Sequence, residues 1–384
     1  GKDGNYDISY GLRLSGDLTD MNFINNNSIT GKVSSGSGYG IHNSAKMGNI
    51  ENTGEISGTG TASGYGIYNS NSAKMGNITN TGEISGTGKG DGRGTGTGYG
   101  INNSSTSTIR DITNRGLISG TGNSIGYGIY NSSSTMGDIT NEGVISGTGT
   151  EFSNDSKGYG IYNDSSAMGA ITNRGLISGT STNGTGILNE TYNNNQKMGK
   201  IINTGIISGS GNSSSGASTG YGINNGAGTM GAITNEGVIS GSGTSSGGNG
   251  EGYGIYNKGT IEEITNAGLI NGYAASTSAA FAYGIFNDTN AIKIGNITNT
   301  GVISGYGNGL DSGSPSGSST AYGFGINNAA TMGAITNTGI ISGSGNGASS
   351  STGSGISNIT TPGNTTTMGA IINTGIISGT GTGS

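Results

Sequence analysis

The chain contains no cysteine, no tryptophan, one histidine and only two prolines in 384 residues. Without cysteine there is neither a disulfide framework nor a thiolate metal site, although the compartment is not fixed by that alone. Scarce proline, and glycine with no three-residue period, exclude collagen even though glycine numbers 84. Charged residues make up 9% and the net charge is −6 with no basic run, so no nucleic-acid partner is expected. No apolar run approaches the roughly 18 residues that cross a bilayer, so no membrane span is expected in this segment. No signal-peptide pattern opens the chain either, and a mature or excised segment is expected. Hydrophobic content is 29%, which would mean disorder if those residues were scattered at random.

They are not scattered. Residues 75–86 read Met75-Gly76-Asn77-Ile78-Thr79-Asn80-Thr81-Gly82-Glu83-Ile84-Ser85-Gly86, and blocks of the same length and pattern begin at Met47, Ile109, Met136, Met168, Met198, Met230, Ile261, Ile294, Met332 and Met368. A looser copy ends at Gly31. None of the eleven clear copies gains or loses a residue, while the stretches between them vary widely. An invariant block recurring after roughly 26 to 41 residues predicts a solenoid in which each repeat stacks on the last.

Each repeat opens with Tyr-Gly-Ile-x-Asn, as at residues 39–43, then a short polar loop, the block, and a Gly/Ser/Thr-rich loop. The opening tyrosine recurs at 65, 99, 127, 159, 221, 253 and 283, and is replaced by Thr185, Phe324 and Ser354. Residues 306–323, with Pro315, make the longest insertion, and Pro362 lies in another loop, where a residue unable to donate to a ladder belongs. Glycine inside every apolar segment argues against helix. The prediction is all-β: one parallel β-helix domain over 1–384, about twelve coils of three short strands, with 1–31 a degenerate first coil and 32–384 eleven clear repeats. Alternation at period two places Tyr39, Ile41 and Asn43 on one face, and Ile50, Asn52, Gly54 and Ile56 on one face of the next stretch. Two asparagine slots, one through Asn52, Asn80 and Asn114, the other through Asn43, Asn69 and Asn103, predict amide ladders along the axis. Asparagine also tolerates a left-handed corner, and Gly58, Gly86 and Gly120 are assigned to the other corner. Methionine opening the block is expected to fill the core.

If Ile56, Ile84 and Ile118 point inward, the residues before them point outward. After Glu55 and Glu83 that slot holds Leu117, Val144, Leu176, Ile206, Val238, Leu269, Val302, Ile340 and Ile376. Strand propensity or cover by loops explains such a stripe blandly; an association surface is the sharper reading. A second outward column contains Arg115, Glu142 and Arg174, alternating in sign as stacked neighbours should. Thr79 with Thr81, Thr298 with Thr300 and Thr336 with Thr338 resemble the Thr-x-Thr of ice-binding β-helices, but those charges interrupt the array.

Catalysis needs convergent ionisable groups, and few are present. His42 occupies a slot that elsewhere holds Tyr68, Tyr130, Tyr162, Tyr256 and Phe286, which marks it as a surface member of an aromatic column. Glu262 and Glu263 are adjacent and so expected on opposite faces of a strand. Residues 88–94 look superficially like a phosphate or calcium loop but occur once and lack the Walker Lys-hydroxyl pair and the repeated Gly-Gly-x-Gly-x-Asp pattern. No catalytic residue, cofactor or metal site is assigned.

The Cys-free repeats of Ile-Thr-Asn-Thr-Gly-x-Ile-Ser-Gly resemble the passenger domains of Gram-negative autotransporter adhesins over nearly the whole chain. The resemblance implies a secreted or bacterial-cell-surface β-helix acting in cell adhesion, with no particular ligand specified. Self-association, lateral or end-to-end, and a host-cell or glycan ligand are the expected partnerships. The alternatives are a subunit of a self-assembling extracellular filament and, from another class, a carbohydrate-active β-helix enzyme.

Overall fold

The computed structural model describes residues 7–19, 21–90, 96–151, 156–190, 197–310, 319–360 and 365–383. Strands stack in parallel upon the same segment of the next coil, with Tyr99 opposite Tyr127, Ile112 opposite Ile139 and Leu117 opposite Val144. One representative coil runs through strands Thr97–Ser104, Thr108–Ile109, Ile112–Asn114 and Leu117–Gly122. The first three belong to a continuous 32-stranded sheet and the last to a separate 12-stranded sheet. Where the block starts with Ile261 or Ile294 the two short strands fuse, as Thr260–Asn266 and Lys293–Asn299, leaving three strands per coil. The protein is therefore a parallel β-solenoid, with no helix among the described residues. Twelve strands in the second sheet mean eleven steps of about 4.8 Å, a rod of roughly 53 Å.

The core is a set of vertical columns. Ile41, Ile50 and Ile56 each head a run of isoleucines buried to 1% exposure or less through most coils, and the Met column lies beside them at 6% or less. Each buried isoleucine contributes about 1.5–3 kcal/mol, so a chain poor in hydrophobic residues still builds a continuous core. Both asparagine ladders are present and buried. In the first, Nδ2 of Asn114 donates to Oδ1 of Asn141 at 2.9 Å, and Asn141 donates to Asn173 at 2.8 Å. In the second, Asn69, Asn103 and Asn131 connect at 2.8 Å per step.

Four local expectations need correction. The tyrosine faces outward, not inward with Ile41 and Asn43. Gly40 drops out of the ladder between Tyr39 opposite Tyr65 and Ile41 opposite Ile67, and that slip reverses the alternation. A Cβ on Gly40 would meet Gly66 O at 2.6 Å and Ile56 Cγ2 at 2.8 Å, so only glycine turns inward there. Second, Gly58, Gly86 and Gly120 are not corners. They lie within strands, where a Cβ would stand 1.9–2.0 Å from the carbonyl oxygen of Tyr65, Tyr99 or Tyr127. The two sheets here pack backbone against backbone with no side chain between them.

Third, the ladder asparagines are not left-handed. Among the described residues the non-glycine residues with positive φ are Asn71, Ser72, Ser105, Thr106, Ser133 and Ser165, in the turns ahead of the block. Fourth, the stretches before each opening are shorter as loops than expected. Strand Leu117–Gly122 hands over to Ile125–Ser132 through residues 123 and 124 alone. Likewise the expected insertion 306–323 begins and ends as strand, in Val302–Gly309 and Thr320–Asn328, where Gly307 and Gly323 allow close sheet packing: a Cβ would meet Tyr322 O at 2.4 Å and Ser344 O at 1.9 Å. Pro315 and Pro362 lie outside the described residues.

Two substitutions test this account. Asn141 also donates to Gly143 O at 3.2 Å and Leu176 O at 3.0 Å, so Asn141→Ala strands acceptors on two coils. It should cost at least the ~1–3 kcal/mol of one unsatisfied buried group, read as a lower melting temperature. Gly120→Ala should lower the denaturation midpoint sharply, because its slot is glycine in every described coil and an added Cβ would stand 1.9 Å from Tyr127 O. A midpoint equal to the parent's would refute the backbone-contact reading.

Candidate functional surfaces

The predicted stripe exists as a column on the outer face of the 12-stranded sheet. In-register pairing runs Glu55, Glu83, Leu117, Val144, Leu176, Ile206, Val238, Leu269, Val302, Ile340 and Ile376. Ile206, Ile340 and Ile376 are 45%, 38% and 55% exposed, and the rest of the apolar set is half-buried. The inner ladder holds this column in place. Nδ2 of Asn114 donates to Val144 O, that of Asn141 to Leu176 O and that of Asn173 to Ile206 O, each at 3.0 Å. An interior amide thus fixes the start of every strand whose first side chain faces out.

The charged column behaves as expected. Arg115 bonds Glu142 at 2.8 Å and Arg174 lies 3.9 Å from the same carboxylate, with all three side chains at least 36% exposed. Exposed pairs of this kind contribute little to stability. Glu262 and Glu263 differ from expectation: both are exposed, because the chain turns between the inward Ile261 and Ile264. Of residues 88–94, only 88–90 are described, and Gly90 has a φ of 70°.

Sequence reasoning missed the surface opposite. With the opening tyrosines outward, Tyr39, Tyr65, Tyr99 and Tyr127 form a stack with steps of 4.7, 4.7 and 5.0 Å and interplanar angles of 1°, 1° and 8°. The stack lapses at Thr185 and resumes through Tyr221, Tyr253, Tyr283 and Phe324. Beside it runs the His42 column, each ring set against the first stack, as Tyr68 against Tyr65 at 4.9 Å and Tyr130 against Tyr127 at 4.8 Å. The signal was available, since both columns sit at constant slots; the glycine slip concealed which way they face.

Carboxylates edge this ridge. The Tyr130 hydroxyl donates to Asp164 at 3.0 Å, Tyr256 to Asp288 at 2.8 Å, Tyr253 to Glu251 at 3.1 Å, and Tyr162 to Glu190. Burial, reinforced by the nearby acids, raises the hydroxyls above the ordinary tyrosine range, and Tyr130 is pushed up to about 12. They therefore remain donors throughout the physiological range. Burial likewise raises Glu251.

His42 is stacked on Tyr39 and Tyr68, its Nε2 lies 3.1 Å from Ser70 Oγ, and it is only 9% exposed. It belongs to the aromatic column, as predicted, but is buried in it rather than lying on the surface. Burial first, and Arg13 second, lower its pKa, so the neutral ring is the folded form. Protons then bind the unfolded chain more tightly, and stability should fall as pH drops below the ordinary histidine value of about 6.5. In melts between pH 7.5 and 5, roughly spanning that value, His42→Tyr should lose this component of the pH dependence. Parallel curves for parent and variant would show that His42 does not titrate against folding.

No protein-family model, curated protein or solved structure matches the chain.

Proposed function

We propose that this chain is a non-enzymatic adhesive solenoid of the bacterial cell surface or secreted fraction, similar to an autotransporter passenger, and that it associates laterally with its own kind. The observation that supports this reading is the stripe: nine successive coils present Leu, Val or Ile at one outward slot, in register, with no charged residue among them. The slot accepts charge, as Glu55 and Glu83 demonstrate, so apolar residues are not required there by the strand itself. A straight row of partly exposed aliphatic side chains approaches the several hundred Å2 of apolar patch that monomers seldom leave bare. Two rods lying side by side would cover it, and adhesion between cells carrying many rods would follow from weak contacts acting together.

Sedimentation across a concentration series tests the proposal. The parent should associate, and Ile206→Glu with Val238→Glu should abolish that association without changing the melting temperature. A parent that stays monomeric at high concentration rejects lateral pairing. A double variant that associates as well as the parent places the contact elsewhere, end-to-end stacking included.

A further inference from the structure

The second position of the twelve-residue block is glycine in every clear copy except two, which hold Arg110 and Glu262. That glycine has a task. In several coils the residue after it is Asn or Asp, whose Oδ1 accepts the backbone N–H of the same slot one coil further on. Asn22 accepts from Asn49, Asn49 from Asn77, Asp111 from Asp138, Asp138 from Ala170 and Asn296 from Ala334, at 2.7–3.0 Å. A Cβ on Gly48, Gly76, Gly137, Gly169 or Gly333 would stand 2.3–2.6 Å from the oxygen below it. Arg110 puts a side chain into that space, and the Oδ1 of Asn77 on the coil below is buried with no hydrogen-bond partner. Glu262 incurs no such loss, because the coil before it carries Ala232. A buried oxygen left unpaired is costly and calls for a physical reason.

The surroundings of Arg110 supply one. A groove of about 370 Å3 is lined by Asn22, Asn49, Lys74, Thr108 and Arg110, with Gly48 and Gly76 leaving its floor open. Lys74, Arg110, Asn22 and Asn49 are exposed, and neither cation forms an ion pair with a described residue. Lys46 stacks in register on Lys74, like charge on like, where stacked neighbours should attract. Asp17, opposite Lys46 on the coil before, already accepts the N–H and hydroxyl of Thr19. Asn22 and Asn49 spend their oxygens on the backbone, so each has only its Nδ2 donors left. No carboxylate lines the groove among the described residues, which leaves it rich in donors and cationic in a chain of net charge −6.

We infer that this groove binds an anionic sugar, a sulfate ester or a uronate, with its oxyanion held between Lys74 and Arg110. The arginine fork engages two oxygens of one sulfate or carboxylate, and the lysine adds a point charge. Amide donors and the Thr108 hydroxyl suit the hydroxyls of a sugar ring. The volume lies within the ~300–1,000 Å3 of small-molecule sites, more than a bare inorganic anion fills. No aromatic side chain lines the groove among the described residues, so a nucleotide base has nothing to stack on. Met47 and Met75 reach it but are only 6% and 3% exposed, too little apolar surface for an acyl chain. The unpaired Asn77 oxygen is then the consequence of setting a binding residue in a slot the fold reserves for glycine, as local rules are broken at functional sites.

This deepens the adhesive reading by naming a ligand class, and it rests on that reading only for its biological use. The test is calorimetric titration of the parent with glucose 6-sulfate, methyl glucuronide, methyl glucoside, inorganic sulfate and glycerol 3-phosphate. Glucose 6-sulfate or methyl glucuronide should bind about tenfold tighter than the other three, the scale of one charge-assisted contact. Added sodium chloride should weaken that binding. Arg110→Ala and Arg110→Gly should both weaken it about tenfold or more, and Lys74→Gln should weaken it too. Arg110→Gly should also melt higher than Arg110→Ala, although glycine loses more chain entropy on folding, because only glycine returns the Asn77 oxygen to its partner. If neither anionic sugar binds the parent, or Arg110→Ala binds as well as the parent, the proposal is wrong. Inorganic sulfate binding as tightly as the sugars would reduce the groove to an adventitious ion only, and tighter binding of glycerol 3-phosphate would assign it to a lipid headgroup; either overturns the sugar. Arg110→Ala melting as high as Arg110→Gly would remove the glycine-slot argument. Sedimentation of the parent is a separate readout. Association without sugar binding overturns the groove and leaves lateral adhesion standing; sugar binding without association does the reverse.

Discussion

Every residue in this rod must tolerate a neighbour from the same slot about 4.8 Å above and below it, and the fold follows from that constraint. Few polar side chains can satisfy it inside. A carboxylate would face like charge, and a hydroxyl is too short to bridge the step while holding the backbone. Asparagine carries donor and acceptor on one planar group, so the same residue can give upward and receive from below. In both ladders Nδ2 of one coil donates to Oδ1 of the following coil, from Asn25 to Asn52 through to Asn337 and Asn373 in the first. The ladders are therefore directional, and each amide polarises the next.

The same constraint divides the cross-section into two regimes. Around the ladders, isoleucine and methionine columns fill space and supply the apolar burial. Beyond them the sheets approach until glycine, or in a few coils alanine as at Ala274 and Ala282, is all that fits, and the 1.9 Å approach of a hypothetical Gly120 Cβ to Tyr127 O shows the tightest slot. That part gains from backbone packing and loses chain entropy, since glycine is the residue with most freedom to lose. The abundance of glycine is thus not a sign of looseness here. It is what allows the two sheets to meet.

Most of this was legible from residue spacing alone. A twelve-residue block without insertions implies one coil per repeat, and invariant Ile, Met and Asn slots imply inward columns, because a side chain that meets its own kind has little room to vary. Alternation failed at Gly40 and its equivalents, where the strand keeps its direction but loses one pairing step, and with it the facing of Tyr39. Nothing in a two-residue period announces that slip; the closest signal is glycine on both sides of the tyrosine. Glu262 and Glu263 failed for a related reason, since a corner places consecutive residues on the same side.

Outer columns obey a weaker form of the rule. They need only avoid repulsion, so their composition can change from coil to coil without altering the core. Arg115, Glu142 and Arg174 show the rule at work, and the step from Glu83 to Leu117 shows that the backbone does not dictate the side chain. What an outer slot contains is therefore informative about surroundings in a way that an inner isoleucine is not. A run of aliphatic residues at a slot open to glutamate, and Lys46 stacked on Lys74 in a column that need only avoid repulsion, are departures that stacking leaves unexplained. In a solenoid whose interior repeats almost without change, such departures are where recognition can be written, because they are the positions the fold leaves free.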